Sequence, residues 1–133
     1  MKRGILVVAA LLAACAAPVQ IDTSAQVVSF HTLLDQEDYT AIWRDAAEEM
    51  HGSTTEANLN KIFMVIHRKL GKVVATKQIG WRTNMTTNGT FSEVTMETKF
   101  EKGVGQENFV FRQDGNRLKL AGYHINSADM MMN

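Results

Sequence analysis

The sequence contains a single cysteine, a single proline and no excess of charge of either sign. One cysteine excludes a disulfide framework and a cysteine-rich metal site, because both need several thiols. The 14 basic and 14 acidic side chains balance, so the basic surface typical of nucleic-acid-binding proteins is missing. With 45% apolar and 21% charged residues, a chain of 133 residues is too hydrophobic to stay disordered. Its length suits one small globular domain.

Long hydrophobic runs are also missing, apart from one short run near the N-terminus. Lys2 and Arg3 precede small and apolar residues from Gly4 to Ala14. A bilayer-spanning helix needs roughly 20 apolar residues, whereas a charged start followed by a shorter run is typical of a secretory signal peptide. The sequence therefore predicts a signal peptide over residues 1–14.

The run ends in Leu12-Ala13-Ala14-Cys15, which resembles the lipobox of bacterial lipoproteins. The resemblance implies that Cys15 is acylated and begins the mature chain, anchored stably by two or more acyl chains. Ala16 stands where an inner-membrane lipoprotein would have aspartate, so we expect the outer membrane, facing the periplasm. Residues 15–23 then form the acylated cysteine and a tether. The alternative is an ordinary signal peptide, with Cys15 a bystander.

Three helices are predicted before Gly71. Apolar residues recur at helical spacing over about 24–34, 37–50 and 55–70. Gly52 and Gly71 stand where the second and third helices should stop, and Ser53-x-x-Glu56 has the form of a capping box for the third.

After Gly71 the apolar period changes to two, which predicts strands. Asn88-Gly89 and Asp114-Gly115 are typical of two-residue type I′ hairpin turns. Counting outward from these turns sets Trp81 opposite Met96, Phe111 opposite Leu118 and Phe109 opposite Leu120. Further along, the apolar parity changes around Gly122, which predicts a bulge there.

Taken together, these elements predict an α+β domain over residues 24–127. Its N-terminal helices should cover the apolar face of a four-stranded antiparallel sheet, whose charged outer face stays in solvent. Because that outer face is charged, we expect a monomer. Residues 128–133 are expected to form a disordered tail.

From Phe30 to about Asn126 the chain resembles the bacterial domain-of-unknown-function family 4019. The matching features are Leu34-Asp35, Asp38-Tyr39, Trp43, His67-Arg68-x-x-Gly71, Asp114-Gly115, Leu118 and Gly122-Tyr123. The resemblance implies helices packed on a curved sheet, similar to the cystatin-like and NTF2-like folds. It implies no established activity.

Six side chains are candidates for a pocket between the helices and the sheet. They are Tyr39, Trp43, His67, Trp81, Met96 and His124. Core packing is the alternative explanation for each, because the helical ones follow or flank apolar stripes. The four histidines are scattered without a metal-binding spacing, so neither a metal nor another cofactor is expected.

Three functional hypotheses remain, of which the third is a stress-related or structural lipoprotein that works through its charged surface. The first is a non-catalytic, membrane-tethered module that binds an envelope protein or a small apolar ligand. The second is a pocket enzyme of the isomerase or dehydratase type, which would use Asp38, Tyr39 or His124 and requires them to converge. Charge is polarised along the helices: residues 22–56 hold eight acidic groups and residues 57–82 hold six basic groups. This asymmetry indicates either two solvated faces or a surface that orients toward a partner.

Overall fold

The computed structural model describes residues 19–133, so the predicted signal peptide and Cys15 lie outside the described residues. Its elements are α1 (Ser24–Asp35), α2 (Tyr39–Asp45), α3 (Glu48–Ser53), α4 (Glu56–Leu70), β1 (Val73–Thr86), β2 (Gly89–Phe100), β3 (Gly103–Asp114), β4 (Arg117–Asn126) and α5 (Ala128–Met132). The strands form one antiparallel sheet in the order β1-β2-β3-β4. Helices followed by a curved four-stranded sheet confirm the predicted α+β architecture.

The first and last of the predicted helices are confirmed as α1 and α4. The cap of α4 differs from the predicted one, because Thr55 rather than Ser53 accepts a hydrogen bond from the Asn58 amide, at 3.2 Å. At the other end, Gly71 has φ +77° and its amide bonds to the His67 carbonyl. Glycine adopts this left-handed conformation at little cost, which explains why α4 stops there.

The prediction of one helix over residues 37–50 is wrong, because α2 and α3 are separated by Ala46 and Ala47 in extended conformation. The Ala47 amide donates to the Leu120 carbonyl at 2.8 Å, so the break ties the chain to β4. Ile42, Ala46 and Met50 are nevertheless all buried, which explains why their spacing looked like one helical stripe.

Both hairpins form between the predicted strands, but each register lies two residues from the expected one. Trp81 pairs with Val94 rather than Met96, and Phe111 pairs with Leu120 rather than Leu118. A shift of two residues keeps the side chains nearest each turn on their predicted face, because strand side chains alternate. Farther from the first turn, an unpredicted bulge at Ile79, between Gln78 and Gly80, reverses this alternation in β1.

The turn conformations explain the shifts. A type I′ turn needs positive φ at both central residues, and in residues 19–133 only Glu37 among non-glycines has positive φ. The first loop is therefore Thr87-Asn88, with Gly89 (φ +138°) already in β2. In the second loop, Gly115 (φ +61°) takes the first central position, as in type II′ turns.

The predicted irregularity near Gly122 is confirmed as a bulge. Gly122 pairs with Val110 while Leu120 pairs with Phe111, so Ala121 is the extra residue in β4. The bulge brings Leu120 and Tyr123 to the same, helix-facing side of the sheet.

The core lies between the helices and this inner face. Its largest buried side chains come from α1, α4 and the two central strands: Leu34, Phe63, Ile66, Leu70, Phe100 and Phe109. The expectation of a disordered tail differs from the structure. Residues 128–132 form α5, capped by the Ser127 hydroxyl, and the Asn133 side chain bonds to the carbonyls of Lys69 and Lys102.

Candidate functional site

The space between α4 and the sheet is filled by aromatic rings. Phe30 of α1 packs against Phe63 of α4, Phe109 of β3 and Tyr123 of β4, with ring centroids 4.7–5.5 Å apart. Several of these pairs meet edge to face, a favourable geometry for aromatic groups. The interior at this point is a packed core, and a ligand has no room between these rings.

The most unusual group inside that core is the carboxylate of Glu107, which is fully buried. His31 Nε2 lies 2.7 Å from its Oε1 oxygen, and the Thr98 hydroxyl donates to the same oxygen at 2.5 Å. The Tyr123 hydroxyl donates to Oε2 at 2.6 Å. Removing an unpaired carboxylate from water costs several kcal/mol, so these partners are what make the burial of Glu107 tolerable.

The polar cluster continues to the edge of the sheet. The hydroxyls of Thr98 and Thr76 lie 2.7 Å apart, and Thr76 belongs to the exposed strand β1. Burial raises the pKa of the Tyr123 phenol well above its ordinary value, and the adjacent Glu107 carboxylate raises it further. Tyr123 therefore remains a neutral hydrogen-bond donor to Glu107 at neutral pH.

Glu107, His31 and Tyr123 are acid–base groups in mutual contact, but they are enclosed. A cavity of about 100 Å³ that is lined partly by Phe30, a ring in contact with His31 and Tyr123, does not include them; its other lining residues come from α1, α2, β3 and β4, among them Leu33 and Leu120. Ligand pockets usually measure about 300–1,000 Å³, so this cavity is too small for a substrate. The geometry of the cluster therefore suits a structural role.

Glu107 was not among the residues singled out from the sequence. The signal that identifies it is strand parity, because Glu107 shares the alternation of Phe109 and Phe111 and therefore faces inward. A carboxylate on the apolar face of a strand is rarely buried without a partner. Its partners could not be deduced, since His31 and Tyr123 lie in distant parts of the chain.

Among the predicted pocket residues, the structure brings Tyr39 and His67 near a common carboxylate. Tyr39 is buried against Phe63, and within the described residues its hydroxyl has no hydrogen-bond partner. Burial raises the pKa of the Tyr39 phenol, and the charge of Glu37 adds to the effect. His67 Nε2 lies 3.9 Å from Glu37 Oε1. No cavity found in residues 19–133 is lined by these three residues, so they form no pocket.

The remaining predicted pocket residues are dispersed. Trp43 packs against the tilted ring of His51, whose Nε2 lies 2.7 Å from the Trp43 carbonyl oxygen. Met96 is buried in β2, whereas Trp81 lies half-exposed on β1. His124 pairs with Asn108 on the outer face of the sheet, opposite the helices. The described structure therefore does not gather these six residues around one cavity.

A polar cleft of about 320 Å³ lies where α3 meets the β3–β4 hairpin. Most of its charged side chains have a partner of opposite charge in or beside the cleft: Arg112 Nη1 bonds to Glu49 Oε1 at 2.7 Å, Lys119 Nζ lies 3.4 Å from Asp114 Oδ2, and Arg44 Nε lies 3.3 Å from Asp45 Oδ1. Within residues 19–133, no three His, Cys, Asp or Glu side chains are grouped as a metal site would require. The cleft thus has little unpaired charge with which to recognise an ion.

The outer side of α4 has a different character. An apolar groove of about 260 Å³ runs between α4, β4 and α5. We call it the α4–α5 groove; it is lined by Lys61, Ile62, Val65, Ile66, Ile125 and Met130. Ile62 is 49% exposed and Val65 41% exposed, so their apolar surface faces solvent. A second cleft begins at Val65 and is lined by Arg68, Lys69, Lys102 and Asn133. Apolar surface and positive charge are therefore adjacent on this face.

In the part of the chain that the structure describes, no helix is long and apolar enough to cross a membrane.

Comparison with known proteins agrees with the resemblance found in the sequence. A search of curated proteins found no match to the chain. A family model described as protein of unknown function DUF4019 matches residues 26–123, a span that runs from α1 into β4. Because this match covers most of the chain and includes the core, the protein belongs to the DUF4019 family.

Proposed function

We propose that this protein is a lipid-anchored module of the bacterial cell envelope that binds a partner protein without catalysing a reaction. The observation that carries the proposal is the α4–α5 groove, where apolar side chains stand exposed beside cations. Exposed apolar surface with a polar rim is typical of interaction sites, whereas isolated apolar side chains need no explanation. The packed interior supports the same conclusion, because it leaves the surface as the place for binding.

The residues around the groove indicate the chemical character of the partner. Arg68, Lys69 and Lys102 adjoin the apolar surface at Val65, and Lys61 lines the groove itself. A complementary partner presents an apolar side chain flanked by carboxylates, so that hydrophobic contact and opposite charge act together. We therefore expect an acidic segment of an envelope protein.

The membrane attachment is supported by the lipobox-like sequence that ends at Cys15. Acylation of this cysteine would hold the domain on the periplasmic side of the outer membrane, since Ala16 follows it. Labelling cells with a palmitate analogue should mark the protein, and Cys15→Ser should abolish both the label and the recovery of the protein in membranes. A labelled or membrane-bound C15S variant would contradict the anchor.

Site-specific photo-crosslinking in cells tests the binding face. A photoreactive amino acid in place of Val65 should yield an adduct with an envelope protein. The matched control is the same amino acid in place of Val28, which is an exposed valine on α1. The Val65 adduct should be lost when Arg68→Glu and Lys69→Glu are added. Equal adducts from both positions, or an adduct that tolerates the charge reversals, would refute the assignment.

We also propose that the fold is similar to the cystatin-like and NTF2-like groups. Helices on one face of a curved antiparallel sheet support this placement. The alternative function, a pocket enzyme of the isomerase or dehydratase type, has less support. Tyr39 and His124 do not converge, and the acid–base cluster around Glu107 opens into no cavity of substrate size in the described region.

A further inference from the structure

The helices leave one part of the sheet's inner face uncovered. Strand β1 lies at the edge of the sheet and packs mainly against β2, and the helices do not cover its end near the β1–β2 turn. Trp81 is 40% exposed there and Met85 is 80% exposed. Both side chains point to the same face as the buried Val94 of β2, because Trp81 pairs with Val94 and Met85 lies four residues further along β1.

The chain that leads to the predicted anchor leaves the domain at this place. The Thr83 hydroxyl donates to the Val19 carbonyl at 3.1 Å, and Val19 itself is largely exposed. Cys15 precedes Val19 by four residues. Even a fully extended chain of this length reaches only about 14 Å. An acylated Cys15 would therefore fix this end of β1 close to the lipid headgroups.

The local sequence suits contact with a membrane surface. Residues 83–92, which include the turn, contain no charged side chain. Tryptophan is enriched at membrane–water interfaces, where its ring is partly apolar and its N–H finds a polar partner. The segment itself has threonine, asparagine and methionine side chains. The Arg112 guanidinium donates to the Asn88 carbonyl at 3.1 Å, and a cation at this position suits the anionic headgroups of a membrane surface.

We propose that Val19, Trp81 and Met85, here called the hairpin edge, rest in the lipid interface of the membrane that carries the anchor. This inference rests on the proposed function, because it requires Cys15 to be acylated. The contact orients the domain rather than holding it, since the acyl chains supply the attachment. Helix α5 follows the end of β4 that lies opposite the β1–β2 turn. Because α5 forms one side of the α4–α5 groove, this groove is presented away from the bilayer.

Tryptophan fluorescence in vesicles tests the orientation. The acylated full-length protein is purified from cells and reconstituted into phosphatidylethanolamine–phosphatidylglycerol vesicles with or without brominated acyl chains, which quench nearby indoles. Trp43→Phe leaves Trp81 as the only tryptophan, and Trp81→Phe leaves Trp43. We expect bromine to remove roughly half of the Trp81 emission and little of the Trp43 emission, because interfacial tryptophans lie beside the upper acyl carbons.

A pair of methionine variants provides the matched control. Met85 and Met131 are both more than three-quarters exposed, but Met131 lies in α5 beyond the far end of the sheet. In the Trp43→Phe background, Met85→Glu should abolish the quenching of Trp81, whereas Met131→Glu should leave it unchanged. Equal quenching in the two variants would overturn the role of the hairpin edge.

The outcomes separate this inference from the anchor itself. If mass spectrometry finds no acyl chain on Cys15, the anchor and the orientation both fail. If the protein is acylated and floats with the vesicles while Trp81 is not quenched, only the orientation fails. A crosslinked dimer through β1 with unquenched Trp81 would identify a second copy of the chain as the occupant of the hairpin edge, and would also overturn the proposal.

Discussion

At the residue scale, Glu107 has the largest expected effect on stability. Glu107→Ala would leave His31, Thr98 and Tyr123 without their acceptor inside the core. We expect the free energy of unfolding to fall by about 3 kcal/mol or more, as measured by urea denaturation. Glu97→Ala is the control, because Glu97 lies exposed on β2, and its effect should stay within about 0.5 kcal/mol. Equal losses in both variants would show that the buried carboxylate does not hold the cluster together.

The raised pKa of Tyr123 predicts that the protein loses stability at alkaline pH. Its pKa in the folded protein lies well above the ordinary value of 10.0, so the folded state keeps the phenol proton where the unfolded chain loses it. The contribution to stability is complete below pH 10.0 and declines as the pH rises toward the folded-state pKa. Tyr123→Phe should weaken this decline in denaturation experiments between neutral and alkaline pH.

The same substitution at Tyr39 provides a comparison. Tyr39 also has a raised pKa, but within residues 19–133 its hydroxyl has no hydrogen-bond partner. At neutral pH, Tyr39→Phe should therefore be nearly neutral, whereas Tyr123→Phe should cost about 1–3 kcal/mol through the bond lost to Glu107. Equal costs at neutral pH would argue against that bond.

At the element scale, the C-terminal end of α1 contains backbone strain that a substitution can relieve. Glu37 has φ +57°, and the amides of Glu37 and Asp38 bond back to the carbonyls of Leu34 and Leu33. This is a Schellman motif, in which glycine is the preferred residue at the left-handed position. Glu37→Gly should raise the free energy of unfolding by about 1 kcal/mol, because non-glycine residues pay for this conformation.

The control for that variant is the preceding residue. Gln36 has φ −81° and lies in the right-handed region, so Gln36→Gly gains no relief of strain and should be destabilising. Loss of the Glu37–His67 pair should matter little, since Glu37 is mostly exposed and the atoms are 3.9 Å apart. If thermal and urea denaturation show E37G to be less stable than the parent, the left-handed strain is not the dominant effect.

The same scale shows how far the sequence determines the elements. The C-terminal end of α4 and the order of strand pairing followed from local chemistry, because glycine conformation and apolar period act within a few residues. The break at Ala46-Ala47 did not, since it depends on a hydrogen bond to Leu120, far along the chain. Hairpin register was displaced for a local reason, because Gly89 lies after the first loop instead of inside it.

At the scale of the whole molecule, the candidate site was the least predictable feature. Helical stripes and strand alternation indicate which residues face inward, and Tyr39 on α2 and Met96 on β2 are both buried. Whether a cavity remains between them depends on how rings from α1, α4, β3 and β4 fit together, which no local pattern encodes. For the same reason, the α4–α5 groove could not be predicted, because its shape depends on where α5 packs. The sequence of that segment predicts a disordered tail.

The bulge at Ile79 affects how readily copies of this protein can associate through the edge of the sheet. Strand β1 spans 14 residues at the sheet's border, long enough to template a neighbouring chain. Between Gln78 and Gly80 the bulge shifts the register of the β1–β2 pairing by one residue, and the basic residues Lys77 and Arg82 lie on either side of it. A bulge interrupts the row of free backbone groups at a sheet edge, and charged side chains on that edge disfavour pairing with another strand. Despite its length, β1 therefore has two of the features that protect edge strands against edge-to-edge aggregation.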